Sequence, residues 1–294
     1  MYSNLVEYIN ISPNTSGYRK RNIKGIAIHH AAGNISIEGL GNIFANPDRE
    51  ASSTYGIDSD GRIGCYLEEE YRPYTTGDVI DEELITIEVA NCEGEPTWRI
   101  SEKAMNSLIK LCADICRRYG ISPTYDGTKE GSNIHLHRWY QATLCPGPYI
   151  VDNMNYIVDS IINLLNYTGW MKEDNEWYYY KDGNIVKSQW ILYKDEWYYL
   201  GDDGIMFHDT WFKYKDRWTY LDSNGVALLN SWGYLEWEYS KDWYFFDSDG
   251  YMLRDTWVYH DGIAYWVGSD GIWIDKPTWK CDGSPIDGYP FYEY

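Results

Sequence analysis

From Thr168 onward the chain repeats itself about every 21 residues, and that period limits its fold more than any other feature. Trp170, Trp190, Trp211, Trp232 and Trp257 mark one position of the repeat. Trp177, Trp197, Trp218 and Trp243 mark a second, and Gly183, Gly204, Gly225, Gly250 and Gly271 a third. Each unit reads as two short aromatic strands joined by a polar turn (YKDEW, YKDRW), followed by a glycine turn such as KDG, DDG, SNG or SDG. A lone two-stranded hairpin is marginal in water. Stacked hairpins share a continuous aromatic core, so the period predicts an all-β hairpin solenoid over residues 167–276. The fourth unit, SWGYLEWEYSKDWYFFDSDG, carries four extra residues between its tryptophans, and Ala264 replaces the second tryptophan of the fifth. Residues 277–294 depart from the repeat and are expected to form a C-terminal cap or tail.

Residues 1–166 follow a different grammar. Ile23–His30 alternates, with Ile26 and Ile28 on one face and Gly25, Ala27 and His29 on the other. Leu84–Val89 sets Ile85, Ile87 and Val89 against Thr86 and Glu88. Ile134–His137 sets Ile134 and Leu136 against His135 and His137. Each predicted strand thus offers an apolar face to a core and a polar or small face to a site. Glu102–Tyr119 has helical spacing, with Ser101 as its N-cap and Gly120 as its stop. A shorter helix is predicted after Ser36, and a single helix from near Pro148 to about Asn166. The expectation is an α/β domain, a mixed sheet flanked by helices.

Charge and cysteine usage exclude several roles. The formal net charge is −20. Residues 167–294 alone carry 11 basic and 23 acidic side chains. Such a surface argues against nucleic acid, whose phosphates demand Lys and Arg. It argues equally against direct adhesion to a polyanion, and it favours a cationic partner. Six cysteines are too few and too scattered for a disulfide scaffold. Cys112 and Cys116, one helical turn apart, read as small buried hydrophobes, and a reduced cytosolic origin is expected. The N-terminal run MYSNLVEYINISPN lacks the pattern of a secretory signal, and no apolar run approaches the ~20 residues of a membrane helix. No membrane insertion is expected. A protein made in the cytoplasm that acts outside it would need release by a holin or by lysis.

His137 and Cys145 lie eight residues apart in HRWYQATLCPGP, far downstream of IAIHH. Two imidazoles and one thiolate form a three-ligand zinc site that leaves a fourth position open, as catalytic zinc requires. A structural zinc more often takes its ligands in close pairs. The first ligand is His29 or His30, and alternation favours His29, with His30 turned toward the core beside Ile26 and Ile28. His135 shares a strand face with His137 and is the alternative to it.

Four segments together, IAIHHAAG (26–33), SSTYGIDSDGRI (52–63), LITIEVAN (84–91) and LHRWYQATLCPGP (136–148), carry a resemblance. The first half resembles the type 2 zinc N-acetylmuramoyl-L-alanine amidases, cell-wall lysins of bacteria and phages related to peptidoglycan recognition proteins. The resemblance implies that fold, peptidoglycan as substrate, Zn²⁺ as cofactor, and His29, His137 and Cys145 as its ligands. It implies that Glu88 is the general base, and that Thr143 and Tyr55 assist catalysis. A turn threonine and a core aromatic remain the alternatives for those last two. The chain departs from the pattern at Thr54, where many members have His, and at RPYTTG, where many have an A-W-H-like segment.

The W-x6-WYY…G repeats resemble the choline-binding, or cell-wall-binding, repeats of pneumococcal-type lysins. Related repeats on toxins and glucansucrases bind glucans. The resemblance implies aromatic cages for a quaternary ammonium on a wall polymer. The expected groupings are Trp177, Trp190 and Tyr199, then Trp197, Trp211 and Tyr220, with Trp218 and Trp232 opening a third. A chain of this kind is expected to be a phage or bacterial endolysin that cleaves wall amides and dimerises, if at all, through its repeats. The rival readings are a non-catalytic peptidoglycan-recognition protein and a glucan-binding adhesin. Non-catalytic relatives typically lose the cysteine ligand, which is present here as Cys145.

Overall fold

A computed structural model describes residues 1–173, 175–238 and 240–274. The chain divides into two compact units, Met1–Tyr167 and Thr168–Tyr294. The tail expected at 277–294 lies outside the described residues. Among the described residues no helix is long and apolar enough to cross a membrane.

The first unit has eight strands and four α-helices in the order β1 (Tyr8–Ile9), β2 (Thr15–Tyr18), β3 (Gly25–His30), α1 (Ile37–Ala45), β4 (Tyr55–Ile57), β5 (Ile63–Cys65), β6 (Tyr71–Pro73), β7 (Leu84–Val89), α2 (Glu102–Tyr119), β8 (Ile134–Leu136), α3 (Pro148–Asp152) and α4 (Met154–Asn166). Six strands form a mixed sheet in the order β1-β5-β4-β7-β3-β8. Next to its edge, β3 lies between β7 and β8 and runs parallel to both. Ile26, Ile28, Ile85, Ile87, Ile134 and Leu136 pack in one core with Leu108, Leu111 and Ile115 of α2 and Ile157 and Ile161 of α4. Period-2 alternation then leaves Ala27, His29, Thr86, Glu88 and His135 to the opposite face.

Local signals start and stop the helices. The Ser36 hydroxyl accepts from the Gly39 N–H and opens α1. Ser101 accepts from Ala104 and opens α2, which Gly120 closes in the left-handed region at φ 65°. The single helix expected from Pro148 to Asn166 is two helices. Asn153 breaks it with φ −98° and ψ 5°. Its side-chain amide donates to the Tyr149 carbonyl at 2.8 Å, so the side chain competes for the helical hydrogen bond at that turn.

The second unit is a run of antiparallel hairpins: β9 (Gly169–Glu173) with β10 (Glu176–Lys181) and β11 (Asn184–Ile185), β12 (Gln189–Tyr193) with β13 (Glu196–Leu200), β14 (Thr210–Tyr214) with β15 (Arg217–Leu221), β16 (Ser231–Trp237) with β17 (Ser240–Phe246), and β18 (Thr256–His260) with β19 (Ile263–Val267) and β20 (Trp273–Ile274). Lys194–Asp195 and Lys215–Asp216 both have positive φ, which marks type I′ turns matched to strand twist. After each glycine turn the chain returns to the hairpin before it. Met206 donates its N–H to the Trp177 carbonyl, Ala227 to Trp197 and Met252 to Trp218, at 2.7–2.8 Å. These bonds stack the hairpins. Gly225 shows why glycine holds the turn, since its φ is 82° and a Cβ would meet Met206 Cε at 2.5 Å.

Candidate functional site

The parallel register of β3 with β7 seats His29 opposite Glu88. His29 Nδ1 lies 3.8 Å from Glu88 Oε1, too far for a hydrogen bond. β8 ends at Leu136, and His137 opens a 3-10 turn, His137–Trp139. The His137 ring centroid comes to 4.5 Å from that of His29. Cys145 follows on the loop before α3, where its Sγ accepts the His30 N–H at 3.3 Å. The ligand atoms of His29, His137 and Cys145 all lie within 4.8 Å of one another. Gly147, at φ 85°, lets this loop close on the sheet, because a Cβ there would meet Trp98 Cβ at 2.9 Å and His30 Nδ1 at 3.2 Å.

The polar atoms of this cluster are under-satisfied. The His29 ring is 1% exposed, yet neither of its nitrogens has a hydrogen-bond partner. Burial holds the His29 pKa well below the ordinary value, and lowers that of His137 as well. Both imidazoles are therefore neutral at pH 7, with lone pairs to offer. Burial pushes the Cys145 thiol up, with Glu88 adding to the shift. Burial alone pushes the Glu88 carboxyl up to about 8. Two neutral imidazoles, a thiol and a carboxyl around orphaned buried nitrogens fit a dication, which would satisfy the nitrogens and release the thiol proton.

The remaining residues divide. Thr143 is on the Cys145 loop, and its hydroxyl accepts the Cys145 N–H at 3.2 Å. His135 stands apart from the three-residue group, with Nδ1 2.7 Å from the Tyr140 hydroxyl. His30 does not turn to the core. It ends β3 half-buried, its ring edge-on to Trp98 at 5.2 Å. Tyr55 is not brought to the site either. It is fully buried in the core with α2, and its hydroxyl donates to Glu69 Oε1 at 2.6 Å. That carboxylate also accepts from Arg118 and from Tyr119. The core buries the tyrosine because Tyr55 pairs with Ile87, one position off the Glu88 register.

Sequence reasoning passed over three neighbours. Trp98 and Asn91 flank His30, with the Asn91 amide donating to the Trp98 carbonyl at 2.6 Å. Trp98 is one of only two tryptophans before Thr168, which was a usable signal. Gln141 puts Oε1 3.3 Å from His137 Nε2, and only its i+4 spacing from His137 hinted at this.

In the repeats the rings group differently from the expectation. One cavity of about 490 Å³ is lined by Trp170, Trp177 and Tyr193, with Tyr198, His208 and Lys172. A second, of about 340 Å³, is lined by Trp190, Trp197 and Tyr214, with Tyr251 and Lys215. Each takes both tryptophans of one hairpin and the last strand residue before the turn of the next. Tyr199 and Tyr220 are instead cross-strand partners of Trp190 and Trp211. Tyr199 packs on Phe207 and Phe212, and the Tyr220 hydroxyl donates to Asp209. Trp232 packs on Phe245 and Tyr265, not on Trp218.

Comparison with known proteins follows the same division. Residues 19–148 match the family described as N-acetylmuramoyl-L-alanine amidase. Residues 188–206, 209–227 and 238–252 match the putative cell wall binding repeat. The chain thus carries an amidase-family domain followed by cell-wall-binding repeats. No curated protein matches it significantly. Among solved structures, truncated alternansucrase from Leuconostoc mesenteroides is 26% identical over 36% of this chain and 10% of its own, with a TM-score of 0.33. Choline binding protein F from Streptococcus pneumoniae is 25% identical over 41% of each chain, with a TM-score of 0.32. The pneumococcal cell wall endolysin from phage Cp-1, complexed with choline, is 21% identical over 42% of this chain and 38% of its own, with a TM-score of 0.32. The chain therefore spans less than half the length of each.

Proposed function

We propose that the protein is a zinc-dependent N-acetylmuramoyl-L-alanine amidase that its aromatic repeats hold on a choline-bearing cell wall. The observation that carries the catalytic half is the convergence of His29, His137 and Cys145 to within 4.8 Å, beside Glu88, inside the segment that matches the amidase family. The bond cleaved is the amide between the lactyl carbonyl of N-acetylmuramic acid and L-alanine.

His29, His137 and Cys145 would hold the zinc, which supplies Lewis acidity to a water and to the scissile carbonyl. Burial keeps the two imidazoles neutral for that task. The His30 N–H steadies the Cys145 sulfur as a thiolate. A dication beside it would favour the carboxylate form of Glu88 over the burial that raises its pKa. Glu88 then takes a proton from water as the water oxygen attacks the carbonyl carbon, and returns it to the alanine nitrogen as the C–N bond breaks. The Thr143 hydroxyl, on the Cys145 loop, can turn from its backbone contact to donate to the oxygen that becomes negative.

For the repeats, the supporting feature is a pair of cavities each lined by two tryptophans and two tyrosines on a strongly acidic unit. The ring faces already draw cations from the chain itself. Lys194 Nζ stands 5.3 Å from the Tyr193 centroid and Lys215 Nζ 5.3 Å from that of Tyr214. A trimethylammonium group on a polymer would take the same faces, and repetition would strengthen weak single sites.

The test is digestion of purified peptidoglycan with and without a chelator, followed by mass analysis of the released ends. New N-terminal alanine, lost on chelation and restored by zinc, is the expected result. New reducing sugar ends, or no release at all, would overturn the reading.

A further inference from the structure

Tyr193 and Tyr214 each close a cavity from the next hairpin, and both occupy the last strand position before the turn, paired with Glu196 and Arg217. In the fourth hairpin that position belongs to Trp237, paired with Ser240. The four extra residues of this unit lengthen the hairpin, so β16 and β17 have seven residues each where β14 and β15 have five. The larger ring therefore sits on a longer arm.

That arm reaches the place where a third cavity would open. The Trp237 ring centroid lies 4.6 Å from Trp211 and 4.6 Å from Trp218, edge-on to both. The Trp211 indole N–H donates to the Glu236 carbonyl at 2.8 Å, which fastens the arm. Rings at 4.6 Å are in direct contact. A cation held between two rings stands within ~6 Å of each centroid and needs them well apart. In the open cavities the third ring stands farther off, with Tyr193 6.4 Å from Trp170 and Tyr214 5.9 Å from Trp190, and of the two tryptophans it touches the first, where Trp237 touches both. Exposure agrees. Trp177 and Trp197 are 41% and 38% exposed, and Trp243 is 43% exposed, whereas Trp218, at the same repeat position, is half-buried. The space left beside Trp218 is about 190 Å³ and lined by Arg217 and Arg254, with Trp218 its one aromatic wall. Asp216 lines it too and Arg217 is paired with Asp247 at 2.7 Å, so what sets this space apart is its size and its single ring.

We infer that Trp237 is a built-in occupant of the third inter-hairpin cage, so that the array offers cation sites at its first two junctions and none at the third. This rests on the reading of the repeats as choline binders. It adds that the fourth hairpin trades a ligand site for a packing contact, in which Trp237 also joins Tyr244 and Phe246. Spacing along the solenoid, and not only affinity, then sets how the protein grips a polymer.

Equilibrium dialysis of the full chain against choline counts the sites. Trp237→Ala should bind one further choline per chain than the unaltered protein. Trp197→Ala should bind one fewer, and Trp218→Ala the same number, and this second pair keeps the test decisive if Trp237→Ala does not fold. An unchanged count in a folded Trp237→Ala, or loss of a site in Trp218→Ala, would overturn the inference while leaving the choline reading intact. No choline bound by the unaltered protein would overturn both.

Discussion

The two units solve the burial of polar and aromatic groups in opposite ways. The first gathers residues from distant parts of the chain, 29 and 88 on neighbouring strands and 137 and 145 on the turn and loop that follow β8, whatever their order in sequence. The second builds each cavity from a hairpin and its neighbour, so its sites repeat at the period of the sequence. A site of the first kind is singular, and loss of one member removes it. Sites of the second kind are nearly independent, and each can be opened, closed or lost alone, as Trp237 illustrates.

The largest test of this contrast is removal of a proposed metal ligand. His29→Ala, His137→Ala and Cys145→Ser should each abolish amide hydrolysis and lower zinc content by elemental analysis, with choline binding by the full chain retained. Full zinc and full activity in Cys145→Ser would break the assignment. Next comes Glu88→Gln, which keeps shape and removes the basic oxygen. Turnover should fall by ~10²–10⁴-fold with zinc retained. A fall below about fivefold would reduce Glu88 to a structural charge.

Glu69 tests the single core. Its carboxylate is fully buried and holds Arg118, Tyr55 and Tyr119 at once. Glu69→Ala leaves the partly buried Arg118 with Asp114 as its remaining carboxylate and strips Tyr55 and Tyr119 of their acceptor, at a cost on the order of 3 kcal/mol. Calorimetry should show the transition of the first unit lowered by about 10 °C, with choline binding unchanged at lower temperature. A further measurement follows from the thiol. Burial raises the Cys145 pKa, so its proton is still bound at pH 7 and must leave when zinc binds. Zinc affinity of the metal-free chain should therefore rise with pH, by about tenfold per unit for each proton released. Titration in two buffers of different ionisation heat checks it, and a flat profile would place the thiol outside the ligand set.

The smallest effect is expected from one open cage. Trp177→Ala should weaken release from intact choline-containing walls by a few-fold, more than it affects soluble muropeptides. An equal loss on both substrates would mean that the repeats do more than hold the wall.

Much of this architecture was legible in the chain. Alternation marked the apolar faces of β3, β7 and β8, because a strand's period of two is a local property. Ser36, Ser101 and Gly120 announced helix ends for the same reason, since capping is settled within four residues. The aromatic period predicted stacked hairpins, and the motif around Cys145 singled out its residue. What sequence could not decide was register and reach. Only the parallel pairing of β3 with β7 puts His29 beside Glu88, and only the core sends Tyr55 to Glu69 instead of to the site. The break at Asn153 depended on a side chain finding one carbonyl. The cages regrouped because cross-strand pairing commits Tyr199 and Tyr220 to partners within their own hairpins. Four inserted residues were visible as a spacing, but that they carry an indole into the third cage is a fact of three-dimensional length, which period alone does not encode.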